Sequence, residues 1–311
     1  MKTRKPPVPV TGENTESNQS LTRELRGRRS DHPAGGALLP VHGIIEAPIV
    51  VVGATGTIGR ALVRQLVASG QPVVAVGPRS DHSATLEEAT LRGVVAPIVG
   101  RIDTEADARR LAGELRGLAR PLAGVVVALP DGADIGRGRL LEQPTETLDD
   151  CLKRTVLVQH ALARHLIPLL AESGRNTHYV IVGGPGSETP WAGYGQRSVA
   201  RAATRMLARV LHDEARASGV RVQLVSIDAP VRSEQPREHD CPEWPAASDV
   251  ARSVIRLVDR TSSVEEPTDA VVACARSTTA CAPGRRGMRP FHDVPSFLQS
   301  LRHPTNKITP Q

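Results

Sequence analysis

The chain contains 311 residues, of which 40% are hydrophobic, 23% are charged and 2% are aromatic. This length allows one large domain or two small ones, with a core built from Val, Leu, Ile and Ala. No apolar run approaches the roughly 18 residues of a membrane span, and the polar N-terminus shows no apolar signal segment. We therefore expect a cytoplasmic protein with no membrane partner.

The net charge of +6 is concentrated at the two ends of the chain. Residues 1–46 contain 7 basic and 5 acidic side chains, and residues 276–311 contain 6 basic and 1 acidic side chain. The part between them is nearly neutral. Basic tails are usually solvated, so we expect no nucleic-acid partner.

The spacing of the histidines and cysteines gives little support to a metal site or a reactive thiol. His160 and His165 are five residues apart, which does not place two ligands on one helix face, and the four cysteines have no metal-ligand pattern. We predict no metal site. Cys151, near the start of a predicted helix, could have a lowered pKa, but no base lies near it in the sequence.

From Pro48 onward, apolar runs alternate with amphipathic segments. The runs predict seven strands, at Ile49–Val52, Pro72–Val76, Val94–Val99, Gly124–Ala128, Tyr179–Val182, Arg221–Ile227 and Ala270–Cys274. The amphipathic segments predict six helices, at about Thr57–Ser69, Ala84–Arg92, Thr104–Leu118, Thr147–Leu170, Ala192–Ser218 and Ala247–Asp259. Continuous apolar strands are typical of a parallel sheet covered by helices on both faces. We predict an α/β fold with a doubly wound parallel sheet of about seven strands.

This alternating pattern occupies one domain, residues 47–276. Residues 1–46 are rich in Pro, Gly, Ser, Asn and Arg without periodicity, and we predict that they are disordered. Residues 277–311 are predicted to form a mostly irregular basic tail.

The first predicted strand leads into a turn with three glycines, Gly53, Gly56 and Gly59. They allow, in order, a sharp turn, the approach of a pyrophosphate to the backbone, and close packing of the following helix. Free N–H groups at the helix start would face the phosphates. The alternative is a tight turn without a ligand. We predict a Rossmann-like dinucleotide site formed by Gly53, Thr55, Gly56, Thr57, Ile58 and Gly59.

Over roughly Pro48 to Cys274, the order and spacing of these features resemble the short-chain dehydrogenase/reductase family. The glycine spacing is similar to that of the extended and atypical branches, since the common branch would have its middle glycine at Thr57. The resemblance implies an NAD(P)-dependent oxidoreductase acting on a carbonyl or alcohol, with Ala128 and Pro130 beside the cofactor. It also implies a homodimer or tetramer formed through the two long helices.

The loop after the second strand bears on the choice of cofactor. NAD-binding members of the family usually have a carboxylate there, whereas this chain has Gly77 and Pro78, followed by Arg79. A guanidinium suits a 2′-phosphate, so NADP(H) is favoured over NAD(H). Alternatively, Arg79 is only a solvated loop residue.

The family's active site combines Asn, Ser, Tyr and Lys. Tyr194 lies where the resemblance places the Tyr that donates a proton to the carbonyl oxygen. The other three positions differ from the family. Ser198 stands in place of the Lys, Thr155 stands in place of the Asn, and Gly183 and Gly184 occupy the region of the Ser. One of the four identities therefore remains. The permanent charge of Arg197 could stabilise a Tyr194 phenolate, although it could not relay a proton.

Ser187 or Thr189, in the loop before Tyr194, could bind a substrate oxygen. The alternatives are that Arg197, Arg201, Arg205 and Arg209 form a solvated helix face and that Tyr194 is a packed aromatic residue. The irregular segment 228–245 could cover the substrate, and both tryptophans, Trp191 and Trp244, are expected to border the cleft.

Two functions follow from this pattern. The first is an NADP(H)-dependent oxidoreductase with a small-molecule substrate, in which Tyr194 donates a proton assisted by Arg197 and Ser187. The second is a non-catalytic NADP(H)-binding sensor or pseudoenzyme partner, which the missing Lys, Ser and Asn favour.

Overall fold

The computed structural model describes residues 47–78, 94–129, 138–174, 176–234, 240–258 and 269–274. The predicted helix Ala84–Arg92 and the two predicted tails lie outside these residues. The predicted domain limits, 47 and 276, therefore stay predictions.

Seven parallel strands form one sheet in the order β3-β2-β1-β4-β5-β6-β7. Their bounds are β1 Ile49–Val52, β2 Val73–Gly77, β3 Val95–Val99, β4 Gly124–Val127, β5 Thr177–Val182, β6 Val220–Ser226 and β7 Val271–Ala273. Each lies within two residues of its predicted position. The prediction of a doubly wound parallel sheet is confirmed, and the strand order reverses between β1 and β4, where open α/β sheets bind their ligands.

The described helices are α1 Thr57–Ala68, α2 Glu105–Gly117, α3 Thr145–Leu152, α4 Val158–Ser173, α5 Gly195–Ala215 and α6 Ala247–Val258. Alternate residues of β1 point to opposite faces. Val50 and Val52 belong to the core cluster that includes Leu111 and Leu162, whereas Ile49 and Val51 belong to a second cluster on the other face. Both sides of each central strand are therefore apolar, as the continuous runs predicted.

The register places the ends of three central strands at one level. Val52, the last residue of β1, pairs with Val76 on one side and Val127 on the other. The turns that follow β1, β2 and β4 therefore meet at the same edge of the sheet. None of the described helices is long and apolar enough to cross a membrane.

The two long helices differ from the prediction. The first is not one helix, because a π-helical turn at Lys153–Leu157 separates α3 from α4. The second begins at Gly195 rather than at Ala192, because Gly193 has a φ of +75° and Tyr194 has a φ of −133° with a ψ of 44°. Neither conformation continues a helix, so Tyr194 is the N-cap residue immediately before α5.

Candidate active site

The turn between β1 and α1 depends on two glycines. Gly53 has a φ of +84°, and its N–H and that of Ala54 donate to the carbonyl of Val76 at 2.9 and 3.0 Å. A Cβ on Gly53 would overlap the carbonyl oxygen of Ala128, and a Cβ on Gly59 would overlap that of Gly53. The missing side chain of Gly53 lets the turn lie against the end of β4, and the missing side chain of Gly59 lets α1 lie against the turn.

The N-terminus of α1 has the properties of an anion site. Gly56 precedes the helix with no side-chain cap, and the first turn contains no acidic residue. The first N–H groups of a helix have no acceptor within it, and the helix dipole is positive at this end. The uncapped turn therefore fits a dinucleotide pyrophosphate, which the backbone of Thr57 and Ile58 would hold.

A cavity of about 450 Å³ adjoins this turn. Its lining combines the start of α1, the residues after β4, the π-helical turn, the end of β5, and α5. Residues 229–231, after β6, complete it, at the beginning of the segment that was predicted to cover a substrate. One space thus connects the glycine turn with the carboxyl ends of the central strands.

The predicted cofactor residues fall into three groups. Four of them line the cavity: Gly56, Thr57, Ile58 and Ala128. Gly53 and Gly59 shape the turn, and Thr55 is buried with its methyl group over Gly77, where a Cβ would lie 2.9 Å from it. Arg79 and Pro130 lie outside the described residues.

Tyr194 stands beside the cavity, between two residues that line it. Its ring lies 4.4 Å from that of Trp191, measured between centroids, and the guanidinium carbon of Arg197 is 5.0 Å from the Tyr194 centroid. Trp191, Arg197 and Ser187 belong to the cavity lining, whereas Tyr194 does not. The structure thus brings the three predicted catalytic residues into one neighbourhood, with Tyr194 set back from the cavity surface.

Ser198 occupies the place where the family has its lysine, and its hydroxyl is used in hydrogen bonds to neighbouring backbone groups. It is 7% exposed, and its hydroxyl accepts a hydrogen bond from the N–H of Trp191 at 2.9 Å and donates to the carbonyl of Tyr194 at 3.3 Å. Ser198 therefore fastens the loop before α5 to the first turn of that helix.

The suggestion of a solvated arginine face on α5 is wrong for two of its members. The Arg201 guanidinium packs directly over Gly184, leaving no room for a Cβ there, and burial lowers the pKa of Arg201 to about 10. The side chain of Arg205 is 12% exposed, donates to Ser226 Oγ at 3.1 Å and forms an ion pair with Glu188. Arg209 is exposed, as that suggestion requires.

Among the residues that sequence reasoning did not assign to the site, Arg154, Gln159 and Arg201 line the cavity with charged or amide side chains. Arg201 lies four residues after Arg197, so the helical spacing that joined Arg197 to Tyr194 also indicated Arg201. Arg154 depends on the π-helical turn, which the apolar periodicity does not reveal. Such turns often occur at functional sites.

Two further expectations need correction. Cys151 lies in the last turn of α3 rather than near a helix start, and burial raises the pKa of its thiol. Trp191 lines the cavity as predicted, but Trp244 is not part of the lining; its carbonyl accepts a hydrogen bond from Arg232 at 2.9 Å. In the described part of the chain, no group of three or more His, Cys, Asp or Glu side chains could hold a metal ion.

Comparisons with known proteins agree with this architecture. A model of the short chain dehydrogenase family matches residues 47–234, which is more than half of the chain. An uncharacterized oxidoreductase from Mycobacterium tuberculosis is 29% identical over 185 residues, which cover 58% of this chain and 66% of that protein. The chain therefore spans just under two thirds of this relative's length.

Solved structures of low sequence identity share the fold. A short-chain type dehydrogenase/reductase from Mycobacterium ulcerans has a TM-score of 0.63 at 19% identity, over 73% of this chain and 87% of that one. An NADPH-bound short chain oxidoreductase from Pseudomonas aeruginosa, described as containing an atypical catalytic center, has a TM-score of 0.61 at 19% identity, over 76% and 98% of the two chains. With the match of its sequence to the family, this chain belongs to the short-chain dehydrogenases, a family of NAD(P)-dependent oxidoreductases.

Proposed function

We propose that this protein is an NADP(H)-dependent oxidoreductase that interconverts a carbonyl compound and an alcohol. The observation that carries the proposal is the single cavity that joins the uncapped start of α1 to the ends of β4 and β5 and to α5. A dinucleotide held at the start of α1 and a substrate near α5 would share this space.

The backbone at Thr57 and Ile58 would hold the pyrophosphate, and the bound cofactor would supply or accept hydride at its nicotinamide ring. Preference for NADP(H) is supported by the end of β2, where Gly77 and Pro78 offer no carboxylate to bind an unphosphorylated ribose. Arg79, next in the chain, is the residue proposed to meet the 2′-phosphate.

Tyr194 is the proposed proton donor during carbonyl reduction, with the proton going to the substrate oxygen. Its support is its place at the start of α5, against Trp191 and Arg197 of the cavity wall. Arg197 is the proposed assisting residue, because its guanidinium lies against the Tyr194 ring and would orient it through a cation–π contact. The hydroxyl of Ser187 lines the cavity, makes no hydrogen bond to a described residue, and would bind the same substrate oxygen.

The test is NADPH oxidation with a panel of ketones, aldehydes and quinones, followed by absorbance, for the wild type and Tyr194→Phe. We expect the wild type to turn over at least one compound and Tyr194→Phe to lose about 100-fold or more in kcat, the usual range for a lost general acid. NADPH affinity should stay unchanged. Full activity of Tyr194→Phe would remove this residue from the mechanism.

The other tyrosine of the chain provides a matched control. Tyr179 lies in β5, fully buried, and its hydroxyl makes no hydrogen bond with a described residue. Tyr179→Phe removes the same atom from the core rather than from the neighbourhood of the cavity. Its turnover should equal that of the wild type, and its unfolding temperature should be equal or higher, because the buried hydroxyl is costly.

A non-catalytic NADP(H)-binding protein is the second candidate. The observation that favours it is Ser198, whose hydroxyl is engaged by Trp191 and Tyr194 and so offers no substitute for a lysine. This function requires NADPH binding without turnover of any compound in the panel, and no difference between the wild type and Tyr194→Phe.

A further inference from the structure

The loop between β5 and α5 forms one wall of the cavity. It comprises residues 183–194 and contains no helix or strand, so no regular ladder of backbone hydrogen bonds holds it in place. Five of its residues line the cavity: Gly183, Gly184, Pro185, Ser187 and Trp191. The shape of this wall therefore depends on the individual contacts that the loop makes with its surroundings.

Backbone N–H groups anchor the two ends of the loop. The N–H of Gly183 donates to the carbonyl of Val225 in β6 at 2.9 Å. At the other end, the N–H of Trp191 donates to the Ser198 hydroxyl at 2.9 Å. The middle of the loop lies between these two anchors and makes its contact through the side chain of Glu188.

Arg205 of α5 provides that contact. One of its terminal nitrogens pairs with the Glu188 carboxylate, and the other donates to Ser226 Oγ at 3.1 Å. Ser226 is the last residue of β6, and its hydroxyl donates to the Asp228 carboxylate at 3.4 Å. Residues 229–231, which follow directly, also line the cavity. A single guanidinium therefore connects two segments of the cavity wall that are distant in the chain.

The burial of Arg205 gives this contact its strength. Its side chain is 12% exposed, whereas that of Glu188 is 58% exposed. Among the described residues, Glu188 is the one carboxylate that forms an ion pair with Arg205. An exposed ion pair contributes little, but a nearly buried guanidinium that loses its partner keeps a charge out of water without compensation. The folded chain therefore favours the loop position that brings Glu188 to Arg205.

We infer that Arg205 is a positioning residue for this wall of the cavity. Neither Arg205 nor Glu188 lines the cavity, so their effect on a ligand is indirect. Their contact sets the loop position from which Ser187 and Trp191 face the cavity, and Tyr194 packs on Trp191 at 4.4 Å between ring centroids. The effect on turnover rests on the proposed function, whereas the effect on the loop rests on these contacts alone.

Trp191 reports on the loop directly, because Trp244 is the only other tryptophan of the chain. In a Trp244→Phe background, acrylamide quenching of Trp191 fluorescence measures how accessible the loop is. We expect Arg205→Met to raise the quenching constant about twofold, since loss of the ion pair lets the loop open locally. Arg205→Lys, whose ammonium pairs at a single point rather than as a fork, should give an intermediate value.

A double-mutant cycle shows whether the effect passes through Glu188. Glu188→Met removes the carboxylate at an exposed position and should reproduce the rise in quenching, even if Arg205→Met does not fold. The double variant should quench no more than either single variant, because each already breaks the same contact. Arg209→Met, at an exposed position of α5, is the control and should leave quenching unchanged. Unchanged quenching in Glu188→Met, or an equal rise in Arg209→Met, would overturn the inference.

Turnover supplies the second readout. With any compound that the wild type reduces, Arg205→Met and Glu188→Met should lower kcat/KM about tenfold, because they displace residues beside the reacting groups. Arg205→Lys should recover part of this loss. Variants that unfold at a lower temperature but keep the wild-type kcat/KM and quenching when folded would show a merely structural role and overturn the inference.

The two readouts separate the inference from the proposed function. If the wild type reduces no compound while both variants raise quenching, the proposed function fails and the positioning role of Arg205 stands. If the wild type is active and both variants keep its kcat/KM and its quenching, the inference fails and the proposed function stands.

Discussion

Among the single residues of the glycine turn, Gly59 has the least space. A Cβ there would overlap the carbonyl oxygen of Gly53 and lie 2.8 Å from the Cα of Ala54, both of which are backbone. Gly59→Ala should therefore lower the free energy of unfolding by about 1–3 kcal/mol, the usual cost of overpacking. Urea unfolding would measure the change.

Gly113 is the control for that substitution. It lies in the interior of α2, is exposed, and has no atom within 4 Å of the position of its absent Cβ. Gly113→Ala should raise the free energy of unfolding by about 0.5–1 kcal/mol, because alanine loses less backbone entropy in a helix. A Gly59→Ala variant as stable as the wild type would show that the turn relaxes without cost.

Residue identity alone predicted the turn better than the active site. Gly53 was recognisable because its turn requires a positive φ, Gly59 because the helix packs too closely for a Cβ, and Tyr194 because its spacing from β5 is distinctive. For Arg201 the sequence offered only its helical spacing from Arg197, since an arginine on a helix is ordinarily solvated. Its guanidinium lies over Gly184, which follows β5, and this neighbour is set by the fold.

For α1, the claim is that its N-terminus receives an anion. Thr57→Asp places a negative charge there, where it should stabilise the helix by about 0.3–1 kcal/mol while repelling phosphate. We expect NADPH affinity to fall about tenfold. Thr57→Asn, of similar size and without the charge, should retain affinity. Equal affinities for both variants in fluorescence titrations would argue against a phosphate at this helix end.

For α2, the start is fixed by reciprocal hydrogen bonds between Thr104 and Asp107. The Thr104 hydroxyl donates to the Asp107 carboxylate at 2.8 Å, and the Asp107 N–H donates to that hydroxyl at 3.2 Å. The hydroxyl, followed by the backbone N–H groups of Asp103 and Thr104, holds the pKa of Asp107 below its usual 3.8. Thr104→Ala should cost about 1 kcal/mol at neutral pH.

The pH dependence of that cost follows from the direction of the shift. Because the folded pKa is the lower one, the stabilisation by Asp107 is complete above the ordinary value of 3.8 and is lost as the pH falls through the folded value. The difference in unfolding free energy between the wild type and Thr104→Ala should therefore shrink in acid. A difference that stays constant across a pH series of urea titrations would contradict this account.

The division of one predicted helix into α3 and α4 shows what apolar periodicity in the sequence does not reveal. The predicted helix Thr147–Leu170 follows apolar periodicity, and periodicity continues through the π-helical turn that divides it. That turn adds one residue per hydrogen-bonded ring without interrupting the chain, so it is invisible to a pattern count. It nevertheless carries Arg154 and Thr155 into the cavity lining.

For the molecule as a whole, the sheet was the most predictable feature. Strands such as β1 and β4 are apolar on both faces because helices cover both, and this requirement leaves a continuous run in the sequence. The cavity was less predictable, because it is assembled from segments far apart in the chain. Only the fold brings Gly56, Arg154 and Arg201 around one space.

We expect the outer face of α5 to support self-association. Val199, Met206 and Val210 are 42%, 55% and 45% exposed and recur at helical spacing on one side of α5. Met206→Glu should reduce the mass in light scattering from a multiple of 33.2 kDa to that of one chain. Val99→Glu, at an exposed apolar site on β3, should not. A wild-type protein that is already monomeric would refute this expectation.

The central claim is that the glycine turn and the adjoining cavity hold NADP(H). The most direct measurement is a titration of the wild-type protein with NADPH and with NADH, followed by nicotinamide fluorescence. The account predicts saturable binding of both, with the lower Kd for NADPH. A protein that binds neither NADPH nor NADH would contradict the account.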